Sequence, residues 1–367
     1  MKLFKLISLL ILFLTLDIIL TNIYQKIDLI IKSKDNFRES NPVYHYELKK
    51  NYAGKGHKDE KIFTDKNGFI ILEEDKGKKI NLENKDNYIF IGDSWTQGAG
   101  VDYKNTFAGI ITKELKNKNK NVINMSTISY SSSIQYLKLK YFIENNNLKF
   151  SKLFLFLDLS DPYDELYRYQ LENQKIVNRE IKTNPFTKNL NQQILFKSKN
   201  FIIKNTTITF HLLKIIKDLL IKKDKNEEAF IEKYGFIINH QANIWTYDEK
   251  YYVSEGYKGI DLCKKYLLEI NNLVKEMKAE LTIIVYPWPG QIYRNDYNIK
   301  QASIWKEWTF KNSVNFLDLS NIFYENQIVK DKKNRLKIID EFYLQKDMHL
   351  NEKGHKLVSK KLLDFIK

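Results

Sequence analysis

Between residue 88 and the C-terminus, short apolar runs alternate with helical patterns, and this alternation limits the chain to few architectures. Tyr88-Ile-Phe-Ile91, Val122-Ile-Asn124, Leu153-Phe-Leu-Phe-Leu157, Leu281-Thr-Ile-Ile-Val-Tyr286 and Val314-Asn-Phe-Leu-Asp-Leu319 each read as a buried strand. Apolar strands alternating with helices imply a parallel sheet covered on both faces. Helical patterns at Thr106–Leu115, Ser133–Asn145, Leu262–Met277 and Gly354–Ile366 separate or follow them. The expected fold is therefore α/β: a three-layer α/β/α sandwich around a parallel five-stranded sheet.

The first strand runs directly into Gly92-Asp93-Ser94, followed by Trp-Thr-Gln-Gly98-Ala-Gly100. Open parallel sheets bind ligands beyond the carboxyl ends of their strands, so Ser94 is placed to face a crevice. Gly92 permits a tight turn, and Gly98 and Gly100 permit close backbone approach. Alone, the block is also compatible with Asp93 or Ser94 simply capping a helix. The far end of the chain adds Asp347-Met-His349-Leu-Asn351, on a loop before the last helix. A serine hydroxyl needs a base to take its proton. Histidine is the usual base, and a carboxylate usually fixes its tautomer. Ser94, His349 and Asp347 are the candidate nucleophile, base and orienting acid. His355 reads as a helix residue outside the site.

The two blocks together resemble the SGNH/GDSL hydrolase superfamily, in which the serine follows the first strand and an Asp/His pair precedes the final helix. The resemblance covers residues 86–367 in order of blocks and is specific at its two ends. The family's usual Asp-x-x-His spacing would put Asp at position 346, where this chain has Lys346. The shorter Asp-x-His form resembles the membrane-linked polysaccharide acetylation branch. The resemblance implies an oxyanion hole from the backbone N–H of Ser94, a second-block backbone N–H and a third-block side chain. Here the second block is Asn124-Met-Ser126 and the third is Asp158-Leu-Ser160-Asp161, so Ser126 and Ser160 take those places. Asp158 and Asp161 would oppose a developing oxyanion unless paired or turned away. Trp288, just after a strand, reads either as a sugar-stacking surface or as a structural turn residue.

At the N-terminus, Leu6–Ile23 is an 18-residue apolar run with one charge, Asp17. That approaches the ~20 residues that span a bilayer. Lys2 and Lys5 precede it and no small-x-small cleavage site follows, which favours an uncleaved anchor over a removed signal. Asp17 is costly there, and lies near the interface or is tolerated through local hydration. Lysines after the run would keep the rest of the chain inside by the positive-inside rule, yet long domains translocate regardless of charge. The expected organisation is an anchor over residues 1–25, a stalk and extension over 26–85, and an extracytoplasmic hydrolase-type domain over 86–367, with an insertion around 165–250.

The formal net charge is +15, but its lysines are dispersed and no recognition motif accompanies them, so a nucleic-acid partner is not expected. Anionic lipid or an acidic glycan is a simpler use of the charge. The single cysteine, Cys263, excludes an intrachain disulfide and a Cys-rich zinc site, and reads as a core residue. No well-spaced metal ligand set appears. Gly98-Ala-Gly100 lacks the third glycine of a dinucleotide cradle, so no cofactor is expected. The expected substrate is an acylated small molecule or glycan. Three functions remain open: an ester hydrolase, an O-acyltransferase to a glycan, and a catalytically weak glycan-binding or assembly component.

Overall fold

The computed structural model describes residues 2–32, 37–179, 205–220, 225–296, 300–323 and 331–366. They fall into two compact units, one of residues 1–36 with 180–230 and the other of residues 37–179 with 231–367. Residues 180–204 and 221–224 of the expected 165–250 insertion lie outside the described residues.

The larger unit opens with two hairpins, β1 (Arg38–Asn41) with β2 (His45–Leu48), and β3 (Ala53–Lys55) with β4 (Lys61–Phe63). The sheet strands follow as β5 (Tyr88–Ile91), β6 (Val122–Asn124) and β7 (Lys152–Leu157). A small hairpin, β8 (Tyr169–Glu172) and β9 (Lys175–Asn178), precedes the last two sheet strands, β10 (Glu280–Val285) and β11 (Asn315–Asp318). The five sheet strands lie in the order β11-β10-β7-β5-β6, all parallel. This is the sheet the sequence pattern predicts. All four residues of β5 are buried, as a strand covered on both faces requires.

In chain order the helices used below are α1 (Lys2–Lys32), α2 (Ser94–Gln97), α3 (Phe107–Lys116), α4 (Ser132–Asn146) and α5 (Asp161–Tyr167). They continue with α6 (Thr207–Leu220), α7 (Tyr257–Glu276), α8 (Lys300–Asn312), α9 (Lys332–Phe342) and α10 (Glu352–Ile366). The chain steps from β5 to β6 in one direction, then through β7, β10 and β11 in the other. Right-handed connections accordingly put α3 on one face of the sheet and α4, α7 and α8 on the opposite face. α10 packs on α3, and α7 packs on α4 and α5. On α7, Ile260, Cys263, Leu267, Ile270 and Val274 form the buried stripe, so Cys263 is a core residue.

Residues 37–85 are not a stalk. Leu48 and Phe69 are fully buried, and Ile70 bridges to Asn124 at the end of β6, so this segment belongs to the larger unit. Residues 231–250 also pack into the larger unit. Trp245 is buried, and its indole N–H donates to the Leu159 carbonyl at 2.9 Å.

The smaller unit contains α1 and α6. Ile7–Lys26 within α1 is long and apolar enough to cross a membrane, with a mean hydropathy of 2.1 over its 18-residue apolar window. Among the α1 residues whose burial is described, Leu14, Asp17, Thr21 and Gln25 are the covered ones, at i, i+3, i+7 and i+11. Asp17 accepts from the N–H groups of Ile208 (3.0 Å) and Thr209 (2.8 Å), and Thr21 accepts from that of Thr207 at 2.9 Å. The charge in the apolar run is thus met by the first turn of α6, where backbone N–H groups have no partner inside the helix.

Candidate active site

In this strand order the connections diverge at β5, making the crevice beyond β5 and β7 the topological switch point. Ser94 follows β5 and Asp158 follows β7. A Cβ on Gly92 would sit 2.4 Å from Thr96 Oγ1 and 3.1 Å from Phe156 Cβ, so the close turn into Ser94 requires glycine. Gly98 ends α2 in the left-handed region, with φ +88°, and its N–H donates to the Ser94 carbonyl. Asp93 does cap α2: it accepts from the Trp95 N–H at 2.9 Å, and the Ser94 hydroxyl and Tyr286 hydroxyl lie within 3.3 Å. Trp95 stacks on Tyr286 at 3.6 Å between ring centroids. The capping role falls to Asp93 and leaves the Ser94 side chain at the rim of the crevice.

His349 Nε2 lies 2.8 Å from Ser94 Oγ, and His349 Nδ1 lies 2.5 Å from Asp347 Oδ1. The carboxylate fixes the proton on Nδ1 and leaves Nε2 to accept from the serine. The loop that carries the pair is tightly closed. Leu344 donates its N–H to the His349 carbonyl, Tyr343 bridges to Leu350, and the His349 N–H donates to Asp347 Oδ1 at 3.0 Å. Lys346 adopts φ +56° and directs its ammonium to Glu232, at 2.7 Å, away from the histidine. Burial, and after it the Lys58 ammonium, push the His349 imidazole down to about 4, against the opposing pull of Asp158 and Glu60.

The expected oxyanion residues are engaged with other partners. The Ser126 N–H donates to Asn124 Oδ1 at 3.0 Å. The Ser160 hydroxyl donates to Asp158 Oδ1 at 2.6 Å, and its N–H donates to the same oxygen at 2.7 Å. Asp158 Oδ2 accepts from Trp288 Nε1 at 2.8 Å. Trp288 is only 3% exposed and its ring meets His240 edge to face, so it holds Asp158 in place and offers no ring face for a sugar. The carboxylates feared to oppose an oxyanion are accounted for: Asp158 is met by three donors, and burial pushes the Asp161 carboxyl well above the usual range. Burial also raises Asp93 well above that range, with the Asp158 charge next, and Asp164 to about 7. His355 lies on α10, buried, accepting from the Phe107 N–H at 3.2 Å. Among the described residues, no group of three or more His, Cys, Asp or Glu side chains is arranged to hold a metal ion.

Lys58, in the turn between β3 and β4, was not a candidate from sequence, yet its ammonium pairs with Asp347 Oδ2 and lies 3.4 Å from His349 Nδ1. No motif marks it across 291 positions of separation. The one local signal is the turn composition Gly56-His-Lys58-Asp-Glu60.

No family model matches the chain, and no curated protein matches it. Solved structures do. One is the psychrotrophic esterase EstA from Pseudoalteromonas sp., with 9% identity, a TM-score of 0.40, and coverage of 77% of this chain and 96% of that one. Another is the acetyl xylan esterase AlAXEase, with 13% identity, a TM-score of 0.40, and coverage of 77% and 100%. A third is a putative lipolytic protein of the G-D-S-L family from Desulfitobacterium hafniense, with 11% identity, a TM-score of 0.37, and coverage of 75% and 96%.

Proposed function

We propose that this chain is a serine-dependent ester hydrolase of the SGNH type, acting through an acyl-enzyme on Ser94. The observation that carries the reading is the continuous Ser94–His349–Asp347 hydrogen-bond chain at the switch point of the sheet. Ser94 Oγ bonds to the acyl carbon while its proton passes to His349 Nε2. The Nδ1–H stays on the imidazole, and the Asp347 carboxylate stabilises the imidazolium. The imidazolium returns the proton to the departing alcohol as the ester C–O bond breaks. Water then attacks the acyl-enzyme, giving its proton to His349, and the carboxylic acid leaves as Ser94 is re-protonated.

In this reading the Ser94 N–H, at the start of α2, is the first oxyanion donor. Ser126 and Ser160 join it only when they release Asn124 and Asp158. That engagement favours one other reading, a catalytically weak glycan-binding or assembly component. An acyltransferase would share the first half-reaction, with a sugar hydroxyl replacing water. The apolar stretch of α1 supports a membrane-tethered setting, and an O-acetyl ester on a surface glycan is the substrate class we favour, met on the extracytoplasmic side.

The test is hydrolysis of p-nitrophenyl acetate by the full chain in detergent, with and without an acetylatable oligosaccharide. Turnover without the glycan that vanishes in Ser94→Ala supports the hydrolase. Turnover that requires the glycan supports the transferase. Glycan affinity unchanged in Ser94→Ala, with no turnover in the wild type, supports the binding component.

A further inference from the structure

The triad is enclosed by a segment that the family-like blocks do not include. The β3–β4 turn spans Gly56 to Glu60 and is fastened at both ends. The Gly56 N–H donates to the Glu60 carbonyl at 2.7 Å, and the Lys58 N–H donates to Glu60 Oε2 at 2.7 Å. Beyond it, the Lys61 N–H donates to Asp102 Oδ1 at 2.8 Å, which ties the hairpin to the loop after the nucleophile helix. The Lys58 stem crosses Gly100, where φ is +87°. A Cβ on that glycine would lie 3.3 Å from Lys58 Cδ and 2.5 Å from Leu344 Cδ1. The lysine is thereby held against both the nucleophile loop and the histidine loop.

We propose that Lys58 is a positioning residue of the triad, clamping the Asp347 carboxylate at the oxygen His349 does not take and setting the lowest pH at which His349 works as a base. Asp347 Oδ1 takes the imidazole N–H and the His349 N–H, while Oδ2 takes the Lys58 ammonium. A carboxylate bonded at both oxygens has one orientation and stays ionised. The same ammonium, 3.4 Å from Nδ1, disfavours a second positive charge on the imidazole. The other charged and titratable groups around His349 are His57 and Glu60 on the same turn, Asp93 beside the serine, Asp158 after β7, and His355 on α10. None of these is shown in contact with both members of the Asp–His pair, as Lys58 is. Its side chain is 29% exposed, so solvent weakens but does not erase its field.

The inference builds on the proposed hydrolase, and its test separates the two. The first measurement needs no turnover: the His349 titration midpoint in full-length Ser94→Ala protein, read by NMR of ¹³C-labelled histidine and assigned with His349→Asn. Lys58→Met should raise that midpoint by about one unit, whereas Lys58→Arg should leave it in place. The second is the pH profile of kcat/KM for p-nitrophenyl acetate. Activity needs the free base, so it is lost as pH falls through the His349 midpoint. Lys58→Met should therefore move the acid limb upward by the same amount and Lys58→Arg should restore it. A midpoint unmoved by Lys58→Met in protein with a wild-type melt overturns the clamp, whether or not the enzyme turns over. A moved midpoint with no turnover in any variant keeps the clamp and sinks the hydrolase reading.

Discussion

Replacing Asp347 with Asn keeps the shape of the side chain and removes its charge, which isolates what the carboxylate does. Asp347 Oδ1 lies 2.5 Å from His349 Nδ1 and fixes the tautomer in which Nε2 faces Ser94. An asparagine can turn its NH₂ toward Nδ1 and trap the wrong tautomer. It also cannot offset the imidazolium that forms when the serine proton moves. Charges about 4 Å apart interact by about 4 kcal/mol at an effective dielectric of 20. That is about a thousandfold in rate, with the tautomer loss adding to it. Removing this carboxylate in a Ser-His-Asp site of known mechanism lowers kcat by about 10⁴-fold. We expect Asp347→Asn to lower kcat for p-nitrophenyl acetate by 10³–10⁴-fold or about that, with KM changed by less than about threefold. The assay is initial rates at pH 8, with circular dichroism to show an intact fold. A kcat within about tenfold of wild type would refute the assignment of Asp347 as the orienting acid.

Ser160→Ala should cost less than about tenfold in kcat, because the Ser160 hydroxyl gives its one proton to Asp158. A loss of a hundredfold or more would instead make Ser160 an oxyanion donor. Asp164 is held near 7 by burial, so the folded chain keeps a proton that the unfolded chain releases above 3.8. Its contribution to stability is therefore lost as pH rises from about 4 through about 7. Asp164→Asn should gain in Tm relative to wild type across that window, and a gap independent of pH would contradict it. Asp17→Ala removes the acceptor for the first turn of α6, a cap worth about 0.5–2 kcal/mol. Amide exchange over residues 207–213 should then quicken, and unchanged protection would show that Asp17 does not hold that turn.

The parts of the architecture that were legible in advance are those written as uninterrupted patterns. Four of the five strands are short, mainly apolar and mainly buried runs, while β11 buries only Leu317, and the α7 stripe repeats at helical spacing. Gly92-Asp93-Ser94 and Asp347-Met-His349 were legible because each is a compact block at a strand or helix end. The hairpins before β5 were not, because their burial rests on a few irregularly spaced residues such as Leu48, Phe69 and Ile70 among many lysines and glycines. Lys58 was hidden for the same reason. Its role depends on a turn meeting a loop 291 positions away, and a lysine in a polar turn reads as solvated surface. The engagement of Ser126 and Ser160 was illegible because a sequence shows which donors exist but not which acceptors already hold them. Trp288 could not be resolved between a sugar platform and a structural residue until its N–H was seen on Asp158.

The most direct test of the central claim is covalent labelling of the full-length chain with a fluorophosphonate, read by intact mass and peptide mapping, in wild type, Ser94→Ala and His349→Ala. We predict one adduct on Ser94 in the wild type, none in Ser94→Ala, and labelling slowed by at least about a hundredfold in His349→Ala. A folded wild-type protein that takes no label, or labels equally fast without His349, would contradict an activated serine at this site.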